Sequence, residues 1–148
     1  MHIRSATAAD IPRILELERH TAAAAHWSRE QYQQALDRSA PEREVLVIEE
    51  DARIHGFLVA RGVEQEWEIE NIAIAASAQG GGLGTRLVGE FLDYVRSTGA
   101  QSVFLEVRES NQAARALYKK WGFIESGRRP AYYRNPDEDA VICWRLLL

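Results

Sequence analysis

Four groups of residues in this 148-residue chain have types and spacings that could do chemistry. One is the glycine cluster Gly80-Gly81-Gly82-Leu83-Gly84-Thr85, which follows a β-rich run and precedes a run of helical periodicity. At such a junction, bare backbone N–H groups and the positive end of the helix can hold a phosphate; the competing reading is a plain surface connection. The strand-glycines-helix context favours anion binding. Neither common nucleotide motif is present, because no third glycine follows Gly82-x-Gly84 at the dinucleotide spacing and no Gly-Lys-Ser/Thr closes the run. A different phosphate ligand is implied.

The second group is Glu106 in V-F-L-E-V-R, where strand alternation puts Phe104, Glu106 and Arg108 on one face and Val103, Leu105 and Val107 on the other. A carboxylate inside a strand is a candidate base; otherwise it belongs to a solvated face, paired with Arg108. The third is Tyr118, aligned with Ala114, Leu117 and Trp121 on the apolar side of a helix. Core packing explains it, but a buried phenol still needs a hydrogen-bond partner and can donate into a cleft. The fourth is Glu64, Glu66, Glu68 and Glu70, whose alternation would line one strand face and either dock a cationic substrate or simply face water. His2, His20 and His55 have no partner legible in sequence and receive no role.

The elements that must position these residues follow from periodicity and capping. His2 to Ala6 reads as a strand, and Thr7 with Asp10 as a capping box opening a helix through Ile11, Ile14, Leu15 and Glu18. Ser28 with Gln31 repeats the box for a shorter helix that ends before Pro41, and an alanine-rich turn with His26 and Trp27 joins the two. Val45 to Ile48, Ile54 to Ala60 and Trp67 to Ile74 form a meander, its first turn at Glu50-Asp51-Ala52-Arg53. A helix through Leu83, Leu87, Phe91, Tyr94 and Val95 stops at Ser97-Thr98-Gly99, a strand spans Val103 to Val107, and a helix from Asn111 to Trp121 is closed by Gly122. Strands from Phe123 onward and from Asp139 to Leu147 complete the order β-α-α-β-β-β-α-β-α-β-β, an α+β architecture with a mixed α/β sheet covered by helices.

Length and composition bound the function. Residues 1–148 suit one domain, and 46% apolar with 27% charged residues excludes a disordered chain. No apolar run approaches a membrane span, and M-H-I-R-S has charges where a signal peptide needs its apolar stretch, so a cytoplasmic protein is expected. One cysteine, Cys143 in A-V-I-C-W, allows no internal disulfide and reads as a buried thiol, and one Cys with four His makes no zinc cluster, so no metal is expected. The net charge of −4 argues against nucleic-acid binding. Residues 1–70 carry 8 basic and 14 acidic side chains whereas 101–135 carry 7 and 3, which would suit a cationic substrate and an anionic ligand meeting in one cleft.

Taken together, N-I-A-I, Gln79-x-x-Gly82-x-Gly84 and L-E-V-R-E-S-N-Q-A-A-R-A-L-Y-K-K-W-G-F resemble the GNAT superfamily of N-acetyltransferases. Within it, Trp27-Ser28, Tyr132-Tyr133 and Glu138-Asp139-Ala140 add a likeness to the bacterial ribosomal-protein-alanine N-acetyltransferases, and the likeness spans nearly the whole chain. The resemblance implies a GNAT-like acyl-CoA N-acyltransferase fold and acetyl-CoA as co-substrate. It implies that the backbone of Ile72, Ala73 and Ile74 pairs with the pantetheine arm, that N–H groups of Gly80, Gly81, Gly82, Leu83, Gly84 and Thr85 hold the pyrophosphate, and that Asn111 binds pantetheine. By the same likeness Glu106 is the proton acceptor and Tyr118 the proton donor. The chain departs from the family in lacking a basic residue within the loop, since Gly80 and Gly81 follow Gln79, so pyrophosphate binding would rest on backbone dipoles and neighbouring basic residues. The implied acceptor is a peptide or protein N-terminus, such as that of a ribosomal protein, and the implied assembly is a monomer or weak dimer. Two alternatives stay open: an acetyltransferase for a small amine or amino acid, and a non-catalytic acyl-CoA-binding module.

Overall fold

The structure is a computed structural model and describes residues 1–21, 26–37, 42–134 and 137–147. Its elements are β1 (His2–Ser5), α1 (Ile11–Arg19), α2 (Arg29–Ala35), β2 (Arg43–Glu50), β3 (Arg53–Val63), β4 (Glu66–Ile74), α3 (Leu83–Ser97), β5 (Ser102–Arg108), α4 (Gln112–Lys120), β6 (Ile124–Tyr133) and β7 (Glu138–Leu146). The order is the one expected from periodicity. At Ser28 the capping box forms as read: Gln31 N–H donates to Ser28 Oγ at 3.2 Å and Ser28 N–H to Gln31 Oε1 at 2.8 Å. The Thr7–Asp10 pair differs in one respect, for it opens a single 3-10 turn, Ala8–Asp10, that runs into α1. There Asp10 accepts from Thr7 N–H at 2.8 Å and also holds the Arg4 guanidinium, which keeps its carboxyl below the usual carboxylate range. The alanine-rich turn at 22–25 and the expected end of α2 before Pro41 lie outside the described residues.

One seven-stranded sheet runs β1-β2-β3-β4-β5-β7-β6, antiparallel throughout except for β4 and β5. Alternation divides its side chains between two cores. Leu58, Leu105 and Val141 pack with Leu87 and Phe91 of α3 and Tyr118 of α4. Phe57 and Val59 pack on the other side with Ile14 of α1 and Tyr32 of α2. No described helix is long and apolar enough to cross a membrane.

The sheet is not continuous at its centre. Parallel pairing of β4 with β5 runs from Glu66↔Ser102 to Ile69↔Leu105, and no pair follows. On its other side β4 stays in register with β3 up to Ile74, but Ala60 pairs with Ile69 and Val59 with Asn71, so Glu70 is an extra residue in a β-bulge. The bulge shifts the alternation. Trp67 and Ile69 face the α3 core, and beyond the bulge Ile72 and Ile74 do so, while Asn71 and Ala73 turn toward α1 and α2.

A buried polar cluster holds that turn. Glu18 of α1 is 2% exposed, and its Oε1 accepts from Trp27 N–H at 2.7 Å, Tyr32 O–H at 2.7 Å and Asn71 Nδ2–H at 2.8 Å. Asn71 Nδ2 also donates to the Tyr32 hydroxyl oxygen at 2.9 Å. Four segments thus converge on one carboxylate oxygen, and burial next to that carboxylate pushes the Tyr32 phenol well up. Removing the acceptor strands three donors, so Glu18→Ala should cost about 2–4 kcal/mol of stability. Urea unfolding should show this as a lower midpoint with an unchanged slope.

Candidate active site

Where β4 leaves β5 a cleft of about 650 Å³ opens, bordered by Glu68, Ile72, Glu106, Asn111, Tyr118 and Tyr133. Glu106 belongs to the sheet face on the α1–α2 side, and Tyr118 sits under the opposite face in the α3–α4 core. An unbroken sheet would separate them. The gap brings them to one space.

The glycine loop lies beyond the end of β4. Gly80 and Gly82 have φ of +84° and +81°, and a Cβ built on either would meet nothing within 4 Å. These two positions need glycine for backbone conformation, and the loop they shape is open to a ligand. The first bond of α3 is Arg86 N–H to Gly82 O, so the N–H groups of Leu83, Gly84 and Thr85 are the unshared donors of a helix start. Gly84 has a packing role as well, since a Cβ there would lie 3.3 Å from Leu117 Cδ2 of α4. Gln79 Nε2 donates to Ile74 O at 3.1 Å and ties the loop to the end of β4.

Glu106 is the most constrained carboxylate of the cleft. Its side chain is 11% exposed, Oε1 lies 3.1 Å from Arg129 Nε, and Oε2 is buried with no hydrogen-bond partner among the described residues. The partner read from sequence, Arg108, is engaged elsewhere: its Nη1 lies 3.2 Å from Glu138 Oε1, and its guanidinium stacks 4.5 Å above the Tyr133 ring. On β4, burial raises the Glu68 carboxyl, with the charges of Glu70 and Glu106 adding to it. Glu70 is raised by burial too, though Arg43 approaches it at 3.3 Å. Only the Nη2–Oε2 contact of that pair is aligned as a hydrogen bond, so Glu70 Oε1 is also buried without a partner.

Tyr118 is fully within the core, its ring edge-on to Phe123 at 5.6 Å, and burial pushes its phenol above the usual range. It therefore holds its proton at any ordinary pH. Tyr133 is pushed up to about 12 by burial, then by the charge of Glu106. Asn111 caps α4 by accepting from Ala114 N–H at 3.2 Å through Oδ1 while bordering the cleft. Burial raises the Cys143 thiol to about 11, in line with a packed, inert cysteine.

The glutamate stripe is only partly as expected. Glu66 and Glu68 lie on β4, but Glu64 sits in the β3–β4 turn with φ of +57°, and Glu70 is the bulged residue. Alternation assumed an uninterrupted strand. Two functional groups escaped sequence reading. The Glu18–Tyr32–Asn71 cluster left only a weak trace, a glutamate at the spacing of the apolar face of α1. Arg129 left none, because its reach to Glu106 depends on β7 lying between β5 and β6.

Residues 11–123 match the acetyltransferase (GNAT) family. A Bacillus subtilis relative is 32% identical over 142 residues, 96% of this chain and 93% of its own length. A Haemophilus influenzae protein named as ribosomal protein bS18-alanine N-acetyltransferase is 41% identical over 100 residues, 66% of this chain and 68% of its own. Among solved structures, the ribosomal-protein-S18-alanine N-acetyltransferase of Escherichia coli superposes with a TM-score of 0.87 at 29% identity, covering 98% of this chain and 92% of that one. The loop at the start of α3, the gap between β4 and β5 and the match over residues 11–123 agree, and the chain belongs to the acetyltransferase (GNAT) family as an acyltransferase that uses acetyl-CoA.

Proposed function

We propose that the chain acetylates the N-terminal α-amino group of a protein or peptide, with Glu106 as proton acceptor and Tyr118 as proton donor. The observation that carries this reading is the cleft itself, in which a carboxylate from one sheet face and a phenol from the other border the same unpaired length of β4. The Haemophilus influenzae and Escherichia coli proteins are named as alanine N-acetyltransferases of ribosomal protein bS18 or S18, and an alanine-starting acceptor is the corresponding proposal here.

The residues present suit acetyl-CoA. Ile72, Ala73 and Ile74 lie on the part of β4 that has left β5, so their backbone is placed to take pantetheine as an added strand. The open left-handed glycines Gly80 and Gly82, with Gly81, and the free donors of Leu83, Gly84 and Thr85 suit a pyrophosphate that no loop cation holds. Asn111 already caps α4 with its oxygen, which leaves its amide N–H for pantetheine. When bound, acetyl-CoA supplies an activated acetyl thioester.

An α-amine with a pKa of about 7.7–8.0 is neutral in roughly a tenth of molecules near pH 7, whereas a lysine at about 10.4 is neutral in fewer than about one in a thousand. An N-terminus is thus the easier nucleophile. As the new N–C bond forms and the C–S bond breaks, Glu106 takes the proton from nitrogen, directly or through water, and Tyr118 gives its proton to the leaving sulfur. Burial raises the phenol and makes that second transfer uphill toward a free thiolate near 8.5, so it must accompany C–S cleavage rather than follow it.

Three experiments bear on this reading. A panel of N-terminal hexapeptides, free amino acids and polyamines, read by mass spectrometry, should show alanine-starting peptides acetylated fastest; preference for a free amine would favour the small-molecule alternative. Tyr118→Phe keeps the ring but loses the proton, so kcat should fall about 10–1,000-fold with little change in stability, and Glu106→Gln should fall similarly at neutral pH and recover partly as rising pH deprotonates the amine. Glu68 separates binding from stability. A carboxyl raised by folding binds more protons in the folded than in the unfolded chain, so stability falls as pH rises through its titration. Glu68→Gln should therefore melt higher than the parent at pH 7, by on the order of 2 °C. The difference should vanish below about pH 4, where both side chains are neutral. The same variant should raise KM for basic peptides.

A further inference from the structure

The guanidinium of Arg129 is paired with the carboxylate proposed above as the proton acceptor. Arg129 starts on β6, and its Cα partner on β7 is the small, fully buried Ala140, which is also the partner of Arg108 on β5. Its side chain thus crosses β7 over an alanine and reaches Glu106 Oε1 at 3.1 Å, lying 5.3 Å from the centre of the Tyr132 ring. The other arginines of this region are held by different carboxylates: Arg128 lies 2.6 Å from Glu109, Arg108 pairs with Glu138, and Arg43 pairs with Glu70.

Exposure separates the two partners. The Arg129 side chain is 56% exposed while that of Glu106 is 11% exposed, and Glu106 Oε2 has neither solvent nor a hydrogen-bond partner among the described residues. Glu106 borders the cleft but its Oε1 is taken by Arg129, so an acceptor ammonium that reaches this carboxylate competes with the exposed guanidinium for it. The pairing itself slips beside it, between Arg129 and Tyr133, where Ala131 has φ of +50° and donates its N–H to Asp139 Oδ1 at 2.9 Å. That bond ties the backbone at Ala131 to β7, and beside it the Arg129 side chain is more than half exposed.

We propose that Arg129 is a specificity-determining residue that holds, in the free enzyme, the seat taken by the acceptor's ammonium in the complex. An incoming ammonium is drawn to Glu106, Glu68 and Glu70 and displaces the guanidinium; an uncharged hydroxyl or amide has no charge with which to do so. The seated ammonium first loses one proton to water. The neutral amine then attacks the thioester and passes its second proton to Glu106. Once Glu106 has returned that proton to water, Arg129 pairs with it again and releases the uncharged amide, which cannot keep the seat. The arginine thereby favours amines over neutral acceptors at entry and favours departure after transfer. This inference rests on the reading of Glu106 as proton acceptor.

Steady-state kinetics on an alanine-starting peptide, with the acetylated peptide as product inhibitor, test it. Arg129→Ala and Arg129→Gln should lower the peptide KM about two- to five-fold, the scale of a half-exposed ion pair. Product inhibition should tighten by a similar factor, and Arg129→Lys should restore both parameters. Guanidinium chloride at millimolar concentration should compete with the peptide in Arg129→Ala more strongly than in the parent enzyme. An unchanged or raised KM in a folded Arg129→Ala enzyme, with Glu106→Gln impaired, would overturn the inference alone. Full kcat in Glu106→Gln would instead remove the proton-acceptor reading on which it stands.

Discussion

Everything at this site depends on β4 and β5 ceasing to pair after Ile69 and Leu105. A β-sheet is a barrier: side chains on its two faces do not meet, and its central strands have no free backbone groups. Parting two central strands removes both restrictions at once. It leaves the backbone of Ile72 to Ile74 unpaired with β5, only Ile74 O being taken by Gln79, and it lets Glu106 from one face and Tyr118 from beneath the other border a single cleft. Central strands part at a cost in hydrogen bonds, so something must hold them open. The bulge at Glu70 redirects β4, and Glu18 anchors the redirected strand through Asn71. A buried carboxylate with three donors is costly to desolvate, and its compensation is positional: α1, α2, the Trp27 segment and β4 cannot drift apart without stranding a charge.

What was legible in the sequence follows the range of the interactions concerned. Capping at Ser28, the apolar stripe of α3, the alternation of β5 and the order of all eleven main elements are local matters, and each was readable. The glycine loop was readable as a turn between a strand and a helix because its left-handed φ values and its junction are local too. Its individual glycines differ in purpose, which needs the third dimension: Gly82 serves conformation, whereas Gly84 also makes room for Leu117. The bulge was not readable. Glu66-x-Glu68-x-Glu70 continues a perfect alternation in sequence, and only the pairing with Val59 and Ala60 of β3 shows where the alternation slips.

Charge partners failed for the same reason. One residue, Val107, separates Glu106 from Arg108, and strand alternation sets both on one face, which made them natural partners. Yet neighbours at that spacing on one strand point the same way in parallel rather than toward each other, and each found a better-aimed partner across the sheet, Arg129 for Glu106 and Glu138 for Arg108. The split of charge along the chain has a comparable outcome. The acidic first half supplies Glu68 and Glu70 to the cleft, and the basic late segment places one of its arginines, Arg129, beside Glu106. In the proposed reading the pyrophosphate falls instead to backbone donors at the start of α3.

That division has a chemical consequence. Under the proposed reading the pyrophosphate is held by uncharged backbone donors at the start of α3, whereas the carboxylates of Glu68 and Glu106 border the cleft where β4 leaves β5. A basic side chain in the glycine loop would strengthen the hold on a pyrophosphate through its charge; with glycine at 80 and 81 that hold rests on backbone dipoles and neighbouring basic residues. Affinity at the anion end then depends on how well the donors of Leu83, Gly84 and Thr85 are aimed, and therefore on the left-handed turn at Gly82 that starts α3.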